Sequence, residues 1–210
     1  IIAPHDGLLG GGSGIGASGA AVESADPTFD DLLRLAASAP AGSEGLLFMP
    51  WLNGERSPVD DKLARGGWVN LSLRTDRAML VRSVLEGVAF NARWLFEAYE
   101  KFLRQDVARV RLLGGGAQSE LWCQIYADVL GRPVDQVPDP RHAQLRGAAL
   151  WALICLGELR LEDVPTLIPA TRTFTPDRSR SSTYQGLYAE YTGLHGSLKG
   201  LYKRINGASR

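Results

Sequence analysis

Cysteine is scarce in this chain: 2 of 210 residues, Cys123 and Cys155. Neither has the spacing or the histidine neighbours of a metal site or a disulfide scaffold, so both are excluded. Both thiols lie in stretches with helical periodicity and are expected buried or half-buried, in a reducing compartment. Excess charge is also missing, with 23 Lys and Arg against 23 Asp and Glu and a formal net charge of zero. In the absence of a basic stripe or interleaved basic and aromatic residues, a nucleic acid held through its phosphates is excluded as a partner. No apolar run reaches about eighteen residues and no signal-peptide pattern is present, so no membrane partner is expected and the localisation expected is cytoplasmic. There is no internal repeat. The opening residues IIAPHDGLLGGG lack an initiator Met and begin in mid-pattern, which reads as a fragment of something longer.

What is present is a composition of 45% hydrophobic and 22% charged residues, that of a globular protein with its own core, one large domain or two small ones. The most informative stretch is LLGGGAQSELWCQIYADVLG at 112–131, where an apolar strand pattern runs through Gly114, Gly115 and Gly116 into an amphipathic helix. Glycines at such a turn take positive φ and put no Cβ before a ligand. The following helix offers unpaired N–H groups and its positive end. The run fits neither G-x-G-x-x-G nor G-x-x-x-x-G-K-[ST], so the glycines alone are consistent with a packing turn as well as a nucleotide turn. A second run, GGGSGIGASG at 10–19, has no following Lys and no clear strand, and reads as a surface or interdomain turn.

Periodicity organises the rest as one α/β unit. A short helix is expected over 28–38, capped by Asp26 or Thr28. GLLFMPWL at 45–52 reads as a buried strand running into a charged, Pro- and Gly-containing loop at 53–67. There Arg56 beside Glu55 reads as a ligand clamp or, with slight preference, as an ion pair pinning the loop, and Asp60 and Asp61 read as carboxylates near a metal or, with preference, as solvated ones. From Thr75 to Arg104, Leu80, Val84, Val88, Ala92, Leu95, Tyr99 and Leu103 fall on one helical face, with Glu86 and Asn91 expected towards water or another helix. A strand at 107–115 leads to a helix at 119–130 that Ser119 can cap, then a short strand at 133–137. The loop DPRHAQLRG at 139–147 precedes a helix beginning GAALWALICLGEL, where Gly147, Ala148 and Ala149 would permit close approach to a neighbouring element. Two strand-to-helix steps with glycine at the turns imply an open sheet with ligands beyond its carboxyl ends. The tyrosines of 183–205 recur at helical spacing and read as a docking face, with Gly193 and Gly196 as possible interruptions.

Taken in order, GLLFMPWLNGERSP at 45–58, ARGGWVNLSL at 64–73, RSVLEGVAFN at 82–91, GGGAQSELWCQIYADVLGRPV at 114–134 and RGAALWA at 146–152 resemble the C-terminal lobe of the FGGY carbohydrate kinases, closest to the xylulose-kinase branch, over nearly the whole of 1–210. The resemblance implies a ribonuclease-H-like (actin-like ATPase) α/β fold that lacks its first strands. It implies ATP and Mg2+ as cofactors, with ATP in a cleft between two lobes and the sugar held mainly by an absent N-terminal lobe. It would place Gly114, Gly115, Gly116 and Ser119 at the adenine and ribose side of the pocket, Asn70 and Ser72 in a segment approaching the nucleotide, and Gly147 with Ala148 near the base. No residue of this chain is assigned to metal binding. The catalytic Asp, in a G-G-D-N-like segment, and a G-T-S-G-like phosphate turn are both absent and expected upstream of Ile1. The chain departs from the family in having His142 for a frequent Glu and Asn70 for a common Gly. Family members are often dimers, so a homodimer is an expectation, with no interface legible in the sequence. Two other readings remain open: a nonenzymatic nucleotide- or sugar-binding relative, and a structural or interaction domain whose glycines only pack.

Overall fold

The computed structural model describes residues 27–207; the glycine-rich run at 10–19 lies outside them. Thr28 opens helix α1 (Phe29–Ser38) through a reciprocal pair, its Oγ1 accepting the Asp31 N–H at 3.2 Å while Asp31 Oδ2 accepts the Thr28 N–H at 3.0 Å. Two donors that a helix start leaves without partners are satisfied this way. GLLFMPWL forms strand β1 (Leu47–Met49), buried at every position. It pairs antiparallel with β2 (Gly67–Val69), Phe48 opposite Trp68, a strand too short to leave a period in the sequence.

Helix α2 (Arg77–Leu103) is the central beam. Asp76 caps it by accepting the Met79 N–H at 2.8 Å, and Arg104 ends it in the left-handed conformation, φ 54°. It lies so close to β1 that a Cβ at Gly87 would fall 2.1 Å from the Phe48 carbonyl oxygen. Only glycine allows that approach.

Beyond α2 the chain builds a second, three-stranded sheet. Strand β3 (Val110–Leu112) pairs in parallel with β4 (Val134–Gln136), with helix α3 (Glu120–Leu130) between them in sequence, and β5 (Arg172–Phe174) adds antiparallel to β4. β5 lies in a Pro- and Thr-containing stretch between α5 and α6. Helix α4 (Ala143–Cys155) starts four residues before Gly147, inside the expected loop, and α5 (Val164–Leu167) is a single turn. Helix α6 (Ser181–Asn206) runs without a break through Gly193 and Gly196.

The core has two centres that share α3. One gathers Trp51, Phe90, Ile125, Val129, Tyr184, Tyr188, Tyr191 and Tyr202; the other gathers Val110, Cys123, Ala127, Leu130, Val134 and Phe174. The tyrosine row of α6 is a docking face, as expected. Each ring is buried and each hydroxyl has a partner: Tyr184 donates to Glu86 at 2.8 Å, Tyr188 to Glu97 at 2.7 Å, Tyr191 to Asn91 at 3.1 Å and Tyr202 to the Arg65 carbonyl at 2.8 Å. A tyrosine is suited to such a seam because its apolar body buries while its tip finds a polar partner.

Of the two surroundings expected for Glu86 and Asn91, water or another helix, both take the second, against α6, and the expectation for Cys155 needs correction. Glu86 does not face water: it is 1% exposed, paired with Arg82 and bonded to Tyr184, Ser43 and the Gly42 N–H. Asn91 bridges Trp51, Glu55 and Tyr191. Cys155 is exposed, because α4 buries none of its residues.

Candidate nucleotide site

The site begins where β3 ends. Arg132 donates to Glu100 and to the Val107 carbonyl, and Glu100 accepts the Val107 N–H at 2.7 Å. This knot joins the end of α2 to the entry of β3 and sets where the strand emerges. Past Leu113 the chain needs a backbone that only glycine adopts readily: Gly114 has φ 92° and ψ −176°. Its N–H donates to the Pro140 carbonyl at 2.8 Å, which ties the turn to the loop between β4 and α4.

The three glycines have different reasons to be glycine. Gly114 takes a positive φ, 92°, with an extended ψ, which side chains disfavour. A Cβ at Gly115 would meet nothing within 4 Å, so this face of the turn is open. A Cβ at Gly116 would fall 2.6 Å from the Trp122 ring, so this glycine makes room for a neighbour inside the protein. After one 3-10 turn, Ser119 caps α3 by accepting the Trp122 N–H at 3.2 Å.

Two cavities flank this turn. One, of about 440 Å³, is lined by Leu113, Gly114, Gly115, Pro140, Ala143, Gln144 and Arg141; the other, of about 270 Å³, is lined by Thr28, Phe29, Gln118, Ser119 and again Arg141, among others. Arg141 stands on the ridge between them and donates to Gln118 Oε1 at 3.0 Å. Neither Arg141 nor Gln118 was picked out by the sequence reading. Only the fold brings residues 23 positions apart to the same turn.

The other expected residues are placed elsewhere. Gly147 lies within α4 with open space where a Cβ would be, so it does not serve close approach, and it lines an apolar cavity of about 260 Å³ that adjoins the larger one, sharing Leu113 and Ala143 with it. Ala148 is exposed on the same helix. Asn70 has φ 71° and donates from Nδ2 to the Gly45 carbonyl at 3.2 Å. That left-handed backbone is the physical reason for a glycine there, and asparagine is among the few residues that tolerate it. Ser72 closes a turn, accepting the Arg74 N–H, with its own N–H donated to Thr75 Oγ1. Neither Asn70 nor Ser72 lines the two cavities at the glycine turn. His142 is exposed, with Nδ1 2.7 Å from Asp139 Oδ2.

This chain is matched over residues 14–156 by the family described as FGGY family of carbohydrate kinases, C-terminal domain. The chain belongs to this family. It is 32% identical over 181 residues to the gluconokinase of Bacillus subtilis, covering 86% of this chain and 35% of that protein. It is 29% identical over 178 residues to the xylulose kinase of Staphylococcus epidermidis, covering 83% of this chain and 35% of that protein. The crystal structure of the gluconate kinase from Lactobacillus acidophilus superposes with a TM-score of 0.74 at 27% identity, covering 87% of this chain and 37% of that one. The chain thus spans about a third of the length of the relatives it matches. Its fold is the α/β, ribonuclease-H-like fold of the FGGY sugar kinases, of which it covers the C-terminal part.

The open face of Gly115 borders the cavity of about 440 Å³. Among the described residues no group of three His, Cys, Asp or Glu is placed to hold a metal ion, and no helix is long and apolar enough to cross a membrane.

The loop after β1 differs from expectation. Glu55 and Arg56 form no ion pair. The Glu55 carboxylate instead accepts the N–H groups of Arg56 at 2.8 Å and Ser57 at 3.0 Å, and the Asn91 amide at 3.0 Å. Asp61 is half-buried rather than solvated, bonded to the Leu63 N–H and 3.0 Å from His195 Nε2. His195 sits in the aromatic core beside Trp51 and Trp94.

Proposed function

We propose that the complete protein phosphorylates a hydroxyl of a sugar with MgATP, and that this chain supplies the lobe carrying one wall of the nucleotide pocket. One observation carries the reading: in a chain of the FGGY kinase family, the turn between β3 and α3 keeps Gly115 open to a cavity while Gly114 and Gly116 are required by the backbone and by Trp122. Phosphoryl transfer asks the protein chiefly to position the reactants and to stabilise charge on the transferring group. Gly114 and Gly115 would let the nucleotide lie against bare backbone. Ser119, whose oxygen already accepts the Trp122 N–H, would have its hydroxyl proton available for a ribose or base acceptor. Asn70, Ser72, Gly147 and Ala148 belong to the reading as a periphery that closes on nucleotide when the lobes meet. Mg2+ would neutralise charge on the β and γ phosphates. No acidic cluster in the described residues competes for it, so the phosphates and the remainder of the protein would hold it. The base that takes the sugar's proton, and most contacts to the sugar, would also belong to that remainder. A pentulose such as xylulose is the first substrate to test, and gluconate the second, since kinases named for each resemble the chain at 29% and 32% identity.

The test is a calorimetric titration of MgATP into this chain and into Gly115→Val, with circular dichroism to confirm that both are folded. Saturable binding lost in the folded variant supports the site; equal binding by both moves the nucleotide away from residue 115. Sugar-dependent ADP release by the complete protein, assayed with xylulose and with gluconate, tests the reaction itself.

A further inference from the structure

The loop from Asn53 to Lys62 encloses a cavity of about 410 Å³ that shares no lining residue with the two cavities at the glycine turn. The loop is closed on itself by a pair of backbone bonds, Glu55 N–H to the Asp61 carbonyl at 2.9 Å and Asp61 N–H to the Glu55 carbonyl at 2.8 Å. Its floor is bare backbone. At Gly54, φ 80°, a Cβ would fall 2.9 Å from the Asp61 carbonyl oxygen.

Two carboxylates anchor this loop from behind, and both are engaged in doing so. Glu55 is held by two loop N–H groups and Asn91 of α2, and Asp61 by the Leu63 N–H and His195 of α6. The remaining side chains at the rim point to a different use. Arg56, Lys62, Asp60 and Asn53 line the cavity beside the engaged Glu55, and among the described residues none of these four side chains has a hydrogen-bond or ion-pair partner. The concave surface carries two cations, two carboxylates and one amide on a backbone closed by hydrogen bonds, so a ligand would lose little to ordering the backbone of the loop. Its volume is within the range of small-molecule sites, about 300–1,000 Å³.

We infer that the 53–62 loop is a second ligand site, for a small polyhydroxylated anion such as a sugar phosphate or a sugar acid. Arg56 and Lys62 receive the anionic group, Arg56 through its planar fork. Asp60 and Asn53 receive the hydroxyls, which a plain inorganic anion lacks. The inference does not depend on the nucleotide reading, since no residue is common to the two places.

Calorimetric titrations of the chain with glucose 6-phosphate, gluconate and inorganic phosphate test it. The result expected is saturable binding of one of the two sugar anions, at least tenfold tighter than inorganic phosphate. The arm that binds identifies the anionic group. The double substitution R56Q/K62Q should weaken it at least tenfold, and D60N should weaken it while leaving the response to inorganic phosphate unchanged. All these side chains are exposed at the rim, so circular dichroism should show native folding, and MgATP titrations should match the parent chain. No saturable binding of either sugar anion at millimolar concentration, equal affinity for inorganic phosphate, or binding retained in the folded double variant overturns the site. None of those results bears on the nucleotide turn.

Discussion

Arg82 Nε donates to Glu86 Oε1 at 2.8 Å across one turn of α2, and both side chains are closed to water, at 5% and 2% exposure. The pair holds three segments together, because Glu86 also takes the Gly42 N–H and the Ser43 hydroxyl, while Arg82 reaches the Ala39 carbonyl and the Tyr184 hydroxyl. Glu86→Ala leaves a buried guanidinium without its counter-charge. Such a loss costs about 3–5 kcal/mol, and urea unfolding followed by tryptophan fluorescence should show a fall of that size. A fall below about 1 kcal/mol would mean that water or another group takes over the carboxylate's place.

Gly115 and Gly116 are adjacent and should respond in opposite ways. Gly116→Ala drives a methyl into the Trp122 ring and should cost about 1–3 kcal/mol, as overpacking does. Gly115→Ala adds a methyl in open space and should stay within about 0.5 kcal/mol. Thermal melts of the two variants separate a packing glycine from a surface-lining one before any ligand is added.

Acid should loosen the knot at Glu100. The Arg132 hydrogen bonds hold this carboxyl below the ordinary carboxylate range, against the opposing effect of burial, with the Val107 N–H adding to them. A carboxyl lowered in the folded state stabilises fully above its unfolded pKa, about 4.3, and the contribution disappears as pH falls through the lower folded value. Glu100→Gln should therefore lower the urea midpoint at pH 7, by about 1–2 kcal/mol in stability, and the gap from the parent should narrow below pH 4. A gap constant with pH would show that the carboxylate's charge is not what holds the knot.

The two thiols should differ sharply in reactivity. Burial, assisted by the Glu120 carboxylate, pushes the Cys123 thiol up to about 11, whereas Cys155 lies exposed on α4. Thiolate character and access control the rate, so Ellman's reagent at pH 8 should titrate one thiol rapidly, and Cys155→Ser should abolish that phase. Rapid modification of both would require Cys123 to become accessible in the folded chain.

The parts legible in the sequence were those with a long period or a local partner. The stripe of α2, the tyrosine row of α6 and the Ser119 cap each depend on residues within a few positions of one another, and each appears where expected. Strands β2 and β5 have three residues apiece, too few to show alternation. Helix α4 begins before its apolar pattern does, because His142, Gln144 and Arg146 give its start a loop-like polarity. The buried polar groups were hidden for another reason: Glu86 meets Tyr184 across 98 positions and His195 meets Asp61 across 134. At the site, sequence identified the turn but not the division of labour among its glycines, which rests on the position of the Trp122 ring.

Phe174 and the four buried tyrosines of α6 all lie after residue 156, where the match to the family's C-terminal domain stops. The end of that match and the end of the packed core are therefore different places in this chain. Truncation at the first would strip the aromatic wall from Phe90 and Trp51 and the third strand from β4. The matched region thus depends, for its own solidity, on a tail that lies beyond it.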